Sequence, residues 1–132
     1  MRAFIIIAAL AGCSAVIFGA LGAHALRAEL DEASISAWQT AVDYQFWHAL
    51  ALLVVGLLSG HWPRSRSLLC SGWLFVTGMV LFSGSLYLLA ATSVRMILGF
   101  PLGLLTPVGG IILIAAWVAL VVAAWVSNKE QK

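Results

Sequence analysis

Four apolar stretches, with Asp43 as the sole charged residue inside them, take up most of this 132-residue chain. They run from Ala3 to about Ala25, from about Ala37 to Gly60, from about Leu68 to Thr92, and from Pro107 to about Ser127. A helix rises about 1.5 Å per residue and a hydrocarbon layer is about 30 Å thick, so roughly 20 apolar residues cross it. Every stretch meets that length. None alternates strictly between apolar and polar positions, which argues against transmembrane strands. The expected fold is all-α: an integral membrane four-helix up-down bundle, forming a single transmembrane domain over residues 1–132.

Composition removes the main competitor. The chain is 63% hydrophobic and 9% charged, with a mean hydropathy of +1.05. A soluble domain uses about a quarter charged residues to face water. A net charge of +2 is too small to indicate nucleic acid as a partner. Leu10-Ala11-Gly12-Cys13 resembles a lipoprotein cleavage site, and Ala23-His24-Ala25 a signal-peptidase site. Because Ala15 to Ala23 stays apolar, where a lipidated cysteine usually opens a polar tether, the first stretch is expected to be a retained helix.

Four spans put both termini on one side. That side carries Arg2, Arg64, Arg66, Lys129 and Lys132, whereas Arg27 and Arg95 lie opposite, among Glu29, Asp31 and Glu32. The positive-inside rule makes the first side cytoplasmic. Trp62, Trp73 and Trp125 fall near that face and Trp38 near the other, as interfacial belts do.

Lipid tails are as apolar as leucine, so membrane helices associate by close backbone approach and polar contacts. Small residues here recur every seven positions. The first helix has Ala8, Gly12, Ala15, Gly19 and Gly22; the fourth has Gly109, Ala116 and Ala123. The third carries adjacent pairs at Cys70-Ser71, Thr77-Gly78, Gly84-Ser85 and Ala91-Thr92, a double-width face that predicts two neighbours. The heptad spacing predicts left-handed crossing. Ser36-Ala37-Trp38-Gln39 fits a capping box, and Thr106-Pro107 fits an N-cap followed by first-turn proline. Val94 to Leu105, interrupted by Pro101, is expected in the headgroup region or folded partly back into the membrane.

The candidate site lies on the outer half of the second helix. At 100° per residue, Tyr44, Gln45 and His48 share an arc with Ala41, Leu52, Gly56 and Ser59, and that arc is expected to face the bundle. Phe46, Trp47, Leu50, Val54 and Leu57 form the opposite, lipid-facing arc. Other helices add His24, Ser83, Ser85, Tyr87 and Thr106 at that depth, with Gly84, Gly109 and Gly110 allowing close approach. The expectation is an inward imidazole at position 48 among hydroxyls and glycines. Asp43 projects away from this arc, toward water, Arg27 or Arg95.

Two readings of this cluster stay open. Ionisable groups inside a membrane default to a functional site, yet Ser, Gln, Tyr and His also join helices by hydrogen bonds worth about 0.6–2 kcal/mol each. His24 also reads as a plain helix-end histidine. His24, His48 and Asp43 have the ligand types for a metal, but their angular separation disfavours one. No phosphate loop, Cys-x-x-Cys or paired carboxylates occur, and no acid is placed to orient His48 toward Ser83. No cofactor is expected. Cys13 and Cys70 differ in depth by about 10 Å, too far for a disulfide, and read as small packing residues, like Gly78 on the third helix.

Several of these stretches resemble the YgdD-like family of small inner-membrane proteins with eukaryotic transmembrane relatives. They are Gly19-Ala20-Leu21-Gly22-Ala23-His24, Trp38-Gln39-Thr40-Ala41-Val42 continuing through Tyr44-Gln45 to His48-Ala49-Leu50, Leu81-Phe82-Ser83-Gly84-Ser85-Leu86-Tyr87, and Thr106-Pro107-Val108-Gly109-Gly110. The resemblance touches all four spans and implies a four-span inner-membrane protein; it implies no catalytic residue. Leu21 departs from the phenylalanine expected there.

Two functions follow. The first is a non-enzymatic membrane component acting through contacts with itself or another membrane protein, with membrane lipids as its surroundings. The second is binding or transport of a lipid headgroup, quinone, small solute or proton at the outer cluster.

Overall fold

The computed structural model describes residues 2–130 apart from Leu98, with side chains described through Ser127. Four helices carry the chain: α1 (Arg2–His24), α2 (Glu32–His61), α3 (Arg66–Ala91) and α4 (Leu102–Glu130). All four are long and apolar enough to cross a membrane. A single 3-10 turn, Leu26–Ala28, follows α1. Strands β1 (Met96–Ile97) and β2 (Phe100–Pro101) form a minimal antiparallel hairpin between α3 and α4. Gly99 turns it at φ +82°, a conformation that costs a side-chain-bearing residue strain.

Two helix starts differ from the sequence expectation. α2 begins at Glu32, where the Asp31 carboxylate accepts a hydrogen bond from Ser34 N at 2.7 Å. A carboxylate at the N-cap meets both the free amides and the positive helix end, so it outcompetes Ser36 downstream. The Gln39 side chain, freed from capping, donates to Asp43 Oδ1 at 2.9 Å. α4 begins at Leu102, so Thr106 is no cap and Pro107 lies inside the helix. Only the bond to the Gly103 carbonyl is lost there, near an end that already leaves amides free. α3 starts on Ser65, whose hydroxyl accepts from Leu68 N at 3.3 Å.

Successive helices run antiparallel. A Cβ built at Gly22 would meet Trp38 Cδ1 at 2.7 Å, and one at Gly56 would meet Ile5 Cγ1 at 2.7 Å, which pairs the end of α1 with the start of α2 and the reverse. At the other seam, Gly78 faces Leu113 and Gly109 lies against the Phe82 backbone. α3 sits between α2 and α4. Its buried row toward α4 is Ser71, Gly78 and Ser85, while Cys70, Thr77, Ala91 and Thr92 are exposed, so the double-width face narrows to one row plus Gly72. Cys13 and Cys70 are free, exposed thiols rather than packing residues.

Among the described residues, α1 and α4 form no broad interface, so the ring of helices is open on that side. α1 also reaches α3 through aromatic contacts near both of its ends, Phe4 meeting Trp73 edge-on with centroids 5.5 Å apart. Phe4 lies over Gly72, where a Cβ would meet its ring at 2.5 Å, and Phe18 meets Tyr87 edge-on with centroids 4.9 Å apart. The central core gathers Phe4, Leu52, Val55, Leu68, Phe75 and Leu113.

Candidate functional site

The expected inward arc of α2 is buried: Ala41, Gln45, His48, Leu52, Gly56 and Ser59, with Tyr44 half-buried beside them. Phe46, Trp47, Leu50, Val54 and Leu57 are exposed on the opposite face. Tyr44 and His48 pack against each other, with ring centroids 5.6 Å apart, but Gln45 does not join them. Gln45 is drawn toward α1, the other two toward α3.

Gln45 turns to α1. Its side-chain nitrogen donates to Ala11 O at 2.8 Å and to Ser14 Oγ at 2.7 Å, and Ser14 in turn donates to Ala11 O at 3.1 Å. His48 faces α3 and α4 and is 7% exposed. Its surroundings are aromatic rather than the expected hydroxyls and glycines: Phe75 lies at 5.9 Å and Trp117 at 6.2 Å between centroids. The ring donates from Nδ1 to Tyr44 O at 2.6 Å, since a carbonyl can only accept. Tyr44 stacks on Phe82 at 4.4 Å. This half of the cluster is therefore an aromatic joint between three helices.

The remaining expected members are dispersed. Ser85 shares a hydrogen bond with Thr106, 2.7 Å apart, at the α3–α4 seam. His24 is exposed at the end of α1, and Arg27 is exposed in the following turn. Arg95 donates to Thr92 O at 2.9 Å and Leu89 O at 3.3 Å, closing the carbonyl end of α3 rather than reaching Asp43. Asp43 is held by Gln39 on its own helix. Ser83 Oγ and the Tyr87 hydroxyl are buried and have no hydrogen-bond partner among the described residues.

Tyr87 belongs to a second constellation that periodicity did not reveal. Trp38, only 8% exposed, is no belt residue. Its Nε1 donates to Phe18 O at 2.8 Å, and its ring meets Tyr87 at 4.7 Å and Phe18 at 5.8 Å. Three helices are clasped here by three mutually edge-on rings, an arrangement favoured by the ring quadrupoles. Phe18 gave no signal of this, being one apolar residue in an apolar helix. Below the clasp a lateral groove of about 360 Å³ opens between α1 and α3, with Gln45 at its floor. The other metal-ligand types do not gather: among the described residues no three of His, Cys, Asp and Glu come together.

Comparison with known proteins is consistent in kind. A family model described as "Protein of unknown function (DUF423)" matches residues 18–110, from Phe18 of the clasp to Gly110 at the α3–α4 seam. A UPF0382 membrane protein of Staphylococcus epidermidis is 46% identical over 123 residues, covering 93% of this chain and 95% of the relative. One from Staphylococcus haemolyticus is 42% identical over 125 residues, covering 95% and 97%. The UPF0382 membrane protein YwdK of Bacillus subtilis is 41% identical over 124 residues, covering 94% and 97%. No solved structure matches the chain.

Proposed function

This chain belongs to the DUF423 family, and from that premise we propose that it is a non-enzymatic, multi-pass plasma-membrane component that acts through contacts made within the bilayer. The motif stretches carry the finer kinship to YgdD-like proteins. Both termini and the α2–α3 loop are cytoplasmic in this reading, because Arg2, Arg64 and Arg66 share that end of the bundle. Lys129 and Lys132 carry the same argument in the sequence, but their side chains lie outside the described residues.

One observation carries the proposal. Several polar side chains of the spans hold neighbouring helices together, as in Trp38 to Phe18 O, Gln45 to Ala11 O and Ser71 to Ala116 O at 2.8 Å each. Such bonds contribute about 0.6–2 kcal/mol apiece and leave no reactive pair. What the molecule presents outward is apolar. α4 offers the longest such face, with Ile111, Ile114, Val118 and Val121 each 58–67% exposed and α3 as its principal neighbour.

Site-directed crosslinking tests this. The exposed native thiols Cys13 and Cys70 are first replaced by alanine, and Ile114→Cys is introduced. Treating intact membranes with a short bismaleimide is expected to give one discrete adduct, whose mass distinguishes a second copy from another protein. A purely monomeric product at Ile114 and at Ile111→Cys would remove the basis for a contact function.

A further inference from the structure

Asp43 is the sole acid carried by the four spans, and no base among the described residues pairs with it. Arg95 is turned to the carbonyl end of α3, and Arg27 lies out in the turn after α1. Gln39 donates to Asp43 Oδ1 at 2.9 Å. Oδ2 has no hydrogen-bond partner among the described residues. Unlike Ser83 Oγ and the Tyr87 hydroxyl, it is not sealed off by protein atoms. A molecule lying against it can therefore touch it.

The space beside Asp43 is a lateral groove of about 280 Å³ between α1 and α2, separate from the one between α1 and α3. Val16 and Ala20 supply its α1 wall, and the exposed rings of Phe46 and Trp47 flank Asp43 on α2. The volume is close to the lower end of small-molecule sites, and the groove opens toward lipid, so an occupant can protrude from it. Depth narrows the choice. Asp43 lies about 9 Å past Ala37, where the apolar stretch of α2 opens, in a leaflet of hydrocarbon about 15 Å deep.

A charge at that depth is costly and marks a functional site by default. A cation would offset it, and the surroundings say which kind. A hard metal ion needs several oxygen ligands, yet no three of His, Cys, Asp and Glu gather among the described residues. Phospholipid ammonium groups stay at headgroup level, outside the hydrocarbon. An organic cation with apolar substituents enters hydrocarbon, needs one counter-charge, and is attracted further by aromatic faces. We propose that the groove between α1 and α2 binds a lipophilic organic cation, with Asp43 as its counter-ion and Trp47 and Phe46 as its aromatic contacts. The site shares no residue with the contact face on α4, so either can fail without the other.

Equilibrium dialysis of the full chain in a non-ionic detergent, against radiolabelled methyltriphenylphosphonium and with protein-free micelles subtracted, reads binding directly. Wild-type protein is expected to saturate at one cation per copy. Triphenylphosphine oxide has nearly the same shape and no net charge, and it should compete at least about 10-fold more weakly. Asp43→Asn keeps an acceptor for Gln39 and should lower affinity about 10- to 100-fold, the weight of one charge contact. Trp47→Ala should lower it about 2- to 10-fold, and Ala20→Trp, which fills the groove from the α1 wall, should abolish binding. Thermal unfolding in the same detergent checks the fold of each variant. If Asp43→Asn does not fold, discrimination between the phosphonium and the oxide by wild-type protein decides the matter. The proposal is overturned if wild-type protein shows no saturable binding, if the oxide competes equally, or if a folded Asp43→Asn binds as tightly as wild type. It is overturned too if Trp47→Ala and Ala20→Trp both leave binding unchanged, which would place the cation elsewhere.

Discussion

Gly109 sets how closely α3 and α4 approach. A Cβ there would lie 2.5 Å from Phe82 N and 2.8 Å from Phe82 Cα, and those atoms are backbone that no rotamer change can move aside. Gly109→Ala should therefore force the two helices apart and lower stability by about 1–3 kcal/mol, read as a lower thermal midpoint in detergent. Gly12→Ala, at a position with nothing within 4 Å, should leave that midpoint unchanged. Both glycines stand in small-residue rows. A heptad spacing makes the face legible but is silent on which position comes closest, because that depends on the partner's side chains. The candidate cluster fails to converge for a similar reason. Helical angle correctly turns Gln45 and His48 inward, yet the arc is wide enough to touch two different neighbours, and each polar group follows the acceptor or rings it meets.

At the scale of the element, α2 depends on the Asp31 cap. The hydrogen bond from Ser34 N, followed by one from its side chain, holds the Asp31 carboxyl below its ordinary value of 3.8. A depressed folded-state pKa contributes stability that is fully present above the ordinary value and is lost as pH falls through the lowered one. Amide exchange at Ser34 and Ile35 is therefore expected to be unaffected at neutral pH and to quicken below about pH 4; Asp31→Ala should show the quickened exchange at every pH. The capping-box pattern at Ser36 drew the expected start five residues too late, because a matching pattern says nothing of a carboxylate upstream that caps more strongly. The α4 start was obscured likewise. Pro107 looks like a helix opener, but Pro101 directly before Leu102 already stops the preceding strand, and one missing bond near the end is tolerable.

For the molecule as a whole, span number was legible because hydrocarbon thickness sets a minimum length that all four stretches meet. The placement of α3 between two neighbours was legible as well; the open side between α1 and α4 was not, since lipid solvates an uncovered apolar face as well as another helix does. The proposed orientation has its own test. In intact cells, a membrane-impermeant maleimide should label Val94→Cys, between α3 and β1, and leave Pro63→Cys, between α2 and α3, unmodified; the opposite pattern inverts the topology. The open side of the ring also bears on biogenesis. The clasp of Phe18, Trp38 and Tyr87 is complete once the third helix has left the ribosome, and nothing in it waits for the last. The chain can thus assemble a three-helix intermediate during translocon insertion, with the final helix docking afterwards as a separate step.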